Sequence, residues 1–161
     1  METKIQPIRE LTMERIISAP RELVYETWTE AKHIMKWWSP KGFTNPISKA
    51  DAIAGGAFYN EMRWSDGTIY PMNGYFIELV RPEKIVMTTM AFETSPGIFE
   101  LENLVTVTLE EIDAKTKLTV NVKVTKAGEG VVQALAGMNQ GWNESLDKLV
   151  DLANSLSQSA H

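Results

Sequence analysis

Two neighbouring segments of strict period two, followed by one long segment of period 3.6, constrain this chain more than anything else in it. Leu101, Val105, Val107 and Leu109 alternate with Glu102, Leu104, Thr106, Thr108 and Glu110. After the turn Asp113-Ala114-Lys115, Leu118, Val120, Val122 and Val124 alternate with Thr119, Asn121, Lys123 and Thr125. Such alternation makes strands with one face buried and one face wet. From Val131 to about Leu156 the spacing changes to three and four. The inward stripe reads Val131 or Val132, Leu135, Met138, Trp142, Leu146, Leu149, Leu152 or Ala153, and Leu156. A helix of that length crosses a whole small sheet, and its apolar stripe must lie on the sheet's apolar face.

The rest of the chain supplies more strands. Ile8 to Ile17 reads as a strand, with Leu11, Met13 and Ile17 on one face, and Ala19-Pro20 ends it. Arg21 to Thr29 is a short helix with Leu23, Val24, Thr27 and Trp28 as its stripe. Thr29 is placed to cap a second helix, Glu30 to about Trp37. Ser39-Pro40-Lys41-Gly42 then turns the chain. Ile47 to Ala52, Ala57 to Trp64, Thr68 to Val80 and Ile85 to Phe92 follow as strands. Their punctuation is Gly55-Gly56, the hairpin turn Ser65-Asp66-Gly67, and Arg81 to Lys84. Pro71 and Gly74 mark an edge position or a bend in the third of these. Glu93 to Glu100 reads as a loop through Ser95-Pro96-Gly97. The expected architecture is therefore α+β: six or seven antiparallel strands, two short helices after the first, and one long C-terminal helix. Residues 1–161 form one domain with a core of about 8–156.

Composition narrows the function. With 16 basic and 21 acidic residues the net charge is −5, and no basic stripe is visible, which argues against a nucleic-acid partner. No stretch approaches the length of a membrane span. The N-terminus has scattered charges and no apolar segment, so it does not read as a signal peptide. There is no cysteine, hence no disulfide, thiol nucleophile or thiolate metal site, and a cytoplasmic setting is expected. The two histidines, His33 and His161, make no zinc site by themselves, and His33 is expected at the surface. No nucleotide fingerprint or hydrolase triad order is present, so no metal, cofactor or catalytic residue is assigned. Five Trp and eight Met stand out, as a large and adaptable apolar contact surface.

Several residues would line the pocket between sheet and helix that a family resemblance, set out below, implies. Trp37 and Trp38 are adjacent, so helical geometry points them about 100° apart, one into the core and one to a pocket mouth that Phe43 completes. Phe58, Asn60, Met62 and Trp64 share one strand face, and Asn60 there is a buried amide in need of partners. Met138 and Trp142 stand one helical turn apart, with Gly141 beside them. Tyr75, Met90, Phe92 and Phe99 complete the set. Packing alone accounts for each of these. Glu61, Arg63, Glu78 and Arg81 would serve acid–base chemistry only in the opposite register, and otherwise read as solvated cross-strand groups.

These residues also resemble a known family. Arg15 to Tyr25 (RIISAPRELVY), Trp28-Thr29, His33, Trp37-Trp38, Pro40 and Gly42-Phe43-Thr44 match its opening and its helix-to-strand junction. Gly55-Gly56, Asp66-Gly67, Gly74 and Gly141-Trp142 with Leu146 and Leu149 complete the match over about residues 8 to 153. The chain is similar to the domain family named after the activator of the heat-shock-90 chaperone ATPase, a branch of the START-like SRPBCC superfamily. The resemblance implies a helix-grip fold, a curved sheet wrapped around the long helix. It also implies an internal cavity for a hydrophobic or aromatic small molecule. Two alternatives accompany it: a cyclase or dehydratase using the same cavity, and a chaperone or stress-response interaction protein. A long sheet edge makes a homodimer a further expectation.

Overall fold

The computed structural model describes residues 10–159. Seven strands form a single antiparallel sheet in the order β1-β7-β6-β5-β4-β3-β2. The strands are β1 (Glu10–Ile17), β2 (Thr44–Ala50), β3 (Ala57–Arg63), β4 (Ile69–Val80), β5 (Lys84–Ser95), β6 (Ile98–Ile112) and β7 (Lys115–Ala127). Helices α1 (Arg21–Thr29) and α2 (Ala31–Trp37) sit between β1 and β2, and α3 (Val132–Ser159) closes the chain after a 3₁₀ turn at Glu129–Val131. Right-handed strand twist curls so wide a sheet into a half-barrel, and α3 lies in its concave face. This is the helix-grip architecture.

Alternation sets which side chains enter the core. On β6, Leu101, Val105, Val107 and Leu109 are buried, and on β7 Leu118, Val120, Val122 and Val124 face them across the register Val107↔Val120 and Leu109↔Leu118. The hairpin between these strands turns through Asp113 and Ala114, both at positive φ (50° and 65°), the geometry that matches strand twist in a two-residue loop. From α3, Leu135, Met138, Leu146, Leu149 and Ala153 point inward. The stripe runs through Ala153, with Leu152 and Leu156 only partly covered. At the sheet edge, the Arg15 guanidinium shares the inward parity of β1 and reaches α3. There it donates to Asn143 Oδ1 at 2.8 Å and to Asp147 Oδ1 at 3.2 Å.

Several boundaries differ from the pattern, each for a local reason. Ile8, the expected start of the first strand, lies outside the described residues. Thr29 ends α1 rather than capping α2. Its hydroxyl donates back to the Tyr25 carbonyl at 3.1 Å, and extended Glu30 (φ −107°, ψ 124°) separates the helices. β2 begins at Thr44, three residues early, because a bulge absorbs Pro46. The expected loop at Glu93 to Glu100 is instead a continuation of β5 and β6 into a hairpin, paired at Glu93↔Phe99 and Ser95↔Ile98. Charges and Ser/Thr mask strand character there, because both faces of this tip meet solvent. His33 is buried, not at the surface, because α2 turns it toward the body.

β4 is an interior strand, yet one end of it behaves as an edge. Its pairing with β5 runs from Val80↔Lys84 only as far as Met72↔Ala91. Beyond that point Pro71, Tyr70 and Ile69 stay paired with β3 alone, while Glu93 and Ser95 stay paired with β6 alone. Pro71 sits where the sheet splits, so its missing N–H has no β5 ladder to interrupt. Gly74 is the bend: a Cβ there would collide with the Thr88 carbonyl of β5.

Candidate functional site

The split opens a hollow. A cavity of about 590 Å³, open to solvent, lies between the divergent ends of β4 and β5, the turn after α2 and the N-terminal half of α3. Its volume falls within the range of small-molecule sites. Trp38 forms the floor. Its ring packs against Phe58 (4.9 Å between centroids) on one side and Trp142 (5.3 Å) on the other, and its indole N–H points at Met72 Sδ at 3.3 Å. Met62 and Met72 line the β3–β4 wall, Phe99 and Leu101 the β6 wall, and Met138 and Trp142 the helix wall. Tyr70 and Phe43 frame the entrance, their rings 5.9 Å apart. Gly137 also lines the cavity, and nothing lies within 4 Å of where its Cβ would be.

Phe92 enters the cavity by an unusual route. Inward positions on β5 are odd-numbered: Ile85, Met87, Thr89 and Ala91. Phe92 has the outward parity, but its φ of 59° swings the side chain to the entrance. Such a conformation is costly for a bulky non-glycine residue.

The lip of the cavity is tied to α3. Lys148 Nζ donates to the carbonyl of Pro40 at 3.0 Å and lies within reach of Ser39 Oγ and the Phe43 carbonyl. Burial lowers the Lys148 pKa, and Glu144 partly opposes that shift. Glu144 Oε1 accepts the backbone N–H of Lys41 at 3.2 Å. One turn of helix thus holds residues 39–43 in place.

The polar content of the wall is small. Thr89 and Asn103 face each other across the β5–β6 ladder, and Asn103 Nδ2 donates to Thr89 Oγ1 at 3.3 Å. Asn103 Oδ1 is buried without a donor. Ser145 adds a hydroxyl-bearing side chain on α3. Among the described lining residues Glu93 is the one carboxylate, and no Lys or Arg is present. Glu93 Oε2 accepts the Gly97 N–H at 2.9 Å, at the hairpin tip.

The structure sorts the residues singled out from sequence. Trp38, Phe43, Met62, Phe92, Met138 and Trp142 come together around the cavity, with Phe99. Trp37 does not. It is fully buried behind Trp38, its indole N–H donating to the Thr27 carbonyl at 2.7 Å and its ring against Trp28 at 4.6 Å. Phe58 is core beneath the floor, packed on Trp38 and Phe76. Asn60 faces inward at 0% exposure, but below the cavity, and neither amide atom has a partner. Trp64 falls beyond the last β3 residue and turns outward, where it packs on Phe43 at 4.8 Å and covers Gly42. Tyr75 is 44% exposed on the convex face, since Gly74 and Phe76 take the inward parity. Met90 likewise has the convex parity between Thr89 and Ala91. Glu61, Arg63, Glu78 and Arg81 lie away from the cavity. Glu61 accepts from the Tyr59 hydroxyl, Glu78 pairs with Lys84, and Arg81 pairs with Glu26.

Thr89 and Asn103 are among the lining residues sequence reasoning passed over, with Tyr70 and Met72. The signal was there: Asn103 stands between Leu101 and Val105, and Thr89 between Met87 and Ala91, both at inward positions.

Among the described residues, no helix is long and apolar enough to cross a membrane, and no cluster of His, Asp or Glu is grouped to hold a metal ion. The fold recurs in solved structures. A protein of Chromobacterium violaceum aligns at 25% identity over 91% of this chain and 97% of that one, with a TM-score of 0.79. A protein of Nitrosomonas europaea aligns at 21% identity over 95% and 97%, with a TM-score of 0.77. The AHSA1 protein of Silicibacter pomeroyi aligns at 19% identity over 88% and 95%, with a TM-score of 0.73. No curated protein matches the chain. The family model for the activator of Hsp90 ATPase homolog 1-like protein matches residues 18–154, which spans α1 through most of α3 and every residue of the cavity wall. The chain therefore belongs to the AHSA1 family, with that family's helix-grip domain.

Proposed function

We propose that this protein binds a hydrophobic or aromatic small molecule in the cavity between the split sheet and the N-terminal half of α3. The observation that carries the reading is the hollow itself: about 590 Å³, walled mainly by Met, aromatic and aliphatic groups, and open at one end. Water in such a space has few polar partners. Replacing it with apolar ligand surface is favourable by roughly 25 cal/mol per Å² before ordering costs. The thioethers of Met62, Met72 and Met138 adapt to ligand shape, which suits a receptor that tolerates related molecules. The absence of cysteine fits a reducing compartment, so the cytoplasm is the expected setting. Among the described residues β1 and β2 are the outer strands of the sheet, and the expected pairing with a second copy would form along such an edge.

Native mass spectrometry and thermal shift against a panel of lipids and aromatic compounds test the reading. Bound masses and raised melting temperatures for a chemically related subset are expected. A flat response across the panel overturns it.

A further inference from the structure

We propose that the ligand carries one neutral head group with a hydrogen to donate, a hydroxyl in the simplest case, and that Asn103 and Thr89 receive it. This rests on the reading of the cavity as a small-molecule site and specifies which end of the molecule goes where.

Asn103 is 5% exposed and lines the cavity, and its Oδ1 has no donor. A buried acceptor left without a donor is costly, and native proteins rarely keep one without a use for it. Its own Nδ2 donates to Thr89 Oγ1 at 3.3 Å. Thr89, 1% exposed, accepts that bond and retains its hydroxyl hydrogen. The wall therefore presents an acceptor and a donor side by side. A hydroxyl satisfies both at once, because it donates and accepts through one atom.

The charge of the head follows from what surrounds it. No Lys or Arg is among the described lining residues, and the carboxylate of Glu93 stands at the rim. A carboxylate head would enter with no cation to meet it and with a like charge at the entrance, so desolvating it is unfavourable. The apolar body of the ligand then lies toward Met62, Met72, Met138 and Trp142.

Three probes of equal chain length separate these ideas: 1-decanol, decyl methyl ether and decanoate at pH 8, measured by titration calorimetry. The alcohol is expected to bind about two- to tenfold more tightly than the ether, which accepts but cannot donate, and decanoate is expected to bind weakest. In Asn103→Leu the alcohol and the ether become equal, while ether binding persists. The same substitution removes an unsatisfied acceptor but also takes the donor from buried Thr89 Oγ1, so the two effects oppose each other and the melting temperature of the ligand-free protein is expected to change little. If wild-type protein binds alcohol and ether equally, the head-group assignment is overturned and the cavity reading stands. If none of the three binds, both are overturned. The wild-type comparison needs no variant, so the assignment remains falsifiable should Asn103→Leu fail to fold.

Discussion

The two ends of the sheet–helix sandwich are built from the same elements and yet differ in density. Toward one end, Val107 and Leu109 on β6, Leu118 and Val120 on β7, and Leu146, Leu149 and Ala153 on α3 are all buried, together with Ile17, Val24 and Trp28. Toward the other, the same β6 offers Phe99, Leu101 and Asn103, and the same α3 offers Met138, Trp142 and Ser145, to a hollow. The dividing wall is the tryptophan stack, where Trp28 meets Trp37 and Trp38 edge to face, Trp37 and Trp38 are tilted against each other, and Trp142 leans on Trp38. Dense packing and the open cavity thus fall in different halves of each strand. The short helices explain why: α1 and α2 fill the gap at the dense end and stop at Trp38, and among the described residues no further element packs into it beyond.

The sharpest test of this division is truncation on each side of the wall. Trp28→Ala should lower unfolding free energy by about 3–5 kcal/mol, since a fully buried ring leaves a void that cannot collapse. Met62→Ala, on a partly exposed side chain at the wall of a cavity open to solvent, should lower it by less than about 1 kcal/mol. Urea midpoints measure both, and equal losses would erase the distinction. Next in size is Lys148→Met, which removes a charged donor from the Pro40 carbonyl and should cost about 1.5–3 kcal/mol while weakening probe binding through a loosened lip. Substitution at Gly137 should act in the opposite direction. Gly137→Ala is expected to stabilise by about 0.5–1 kcal/mol from helix propensity alone, while Gly137→Leu fills the hollow and abolishes probe binding without unfolding the protein. The smallest effect is a pH slope from the dense end. Burial lowers the His33 pKa below 6.5, so the folded state disfavours the imidazolium. The unfolded chain then binds more protons as pH falls below about 6.5, and stability declines with acidification, having been fully present above that value. Comparing melting temperatures at pH 7.5 and 5.5 should show a smaller drop in His33→Gln than in the parent.

How much of this was legible beforehand follows the same divide. The dense end is written in period: β6, β7 and the C-terminal half of α3 repeat their apolar residues without interruption, because continuous packing demands it. The hollow end breaks the rules that make sequence readable. Phe92 reaches the entrance against its parity, through a left-handed backbone. Trp37 and Trp38 both turn inward, because α2 ends between them and Trp38 adopts a non-helical backbone (φ −77°, ψ 76°). Tyr75 falls on the convex face because Gly74 and Phe76 hold the inward parity, and a glycine at an inward position gives the apolar pattern no side chain to show it. Asn103 hid because a polar residue in an apolar row reads as a flaw in the pattern. Here the break in the pattern is the clue, since it sets an inward amide on the cavity wall.

The split between β4 and β5 also bears on how such a protein changes over time. The entrance is framed by two hairpin tips and a tethered turn, none of which carries the weight of the dense end. Lengthening a tip, or exchanging Tyr70 or Phe92, would recut the doorway while leaving the foundation untouched. If the cavity holds a small molecule as proposed, exchanging a handful of rim positions is then a route to a different guest that leaves the folded body intact.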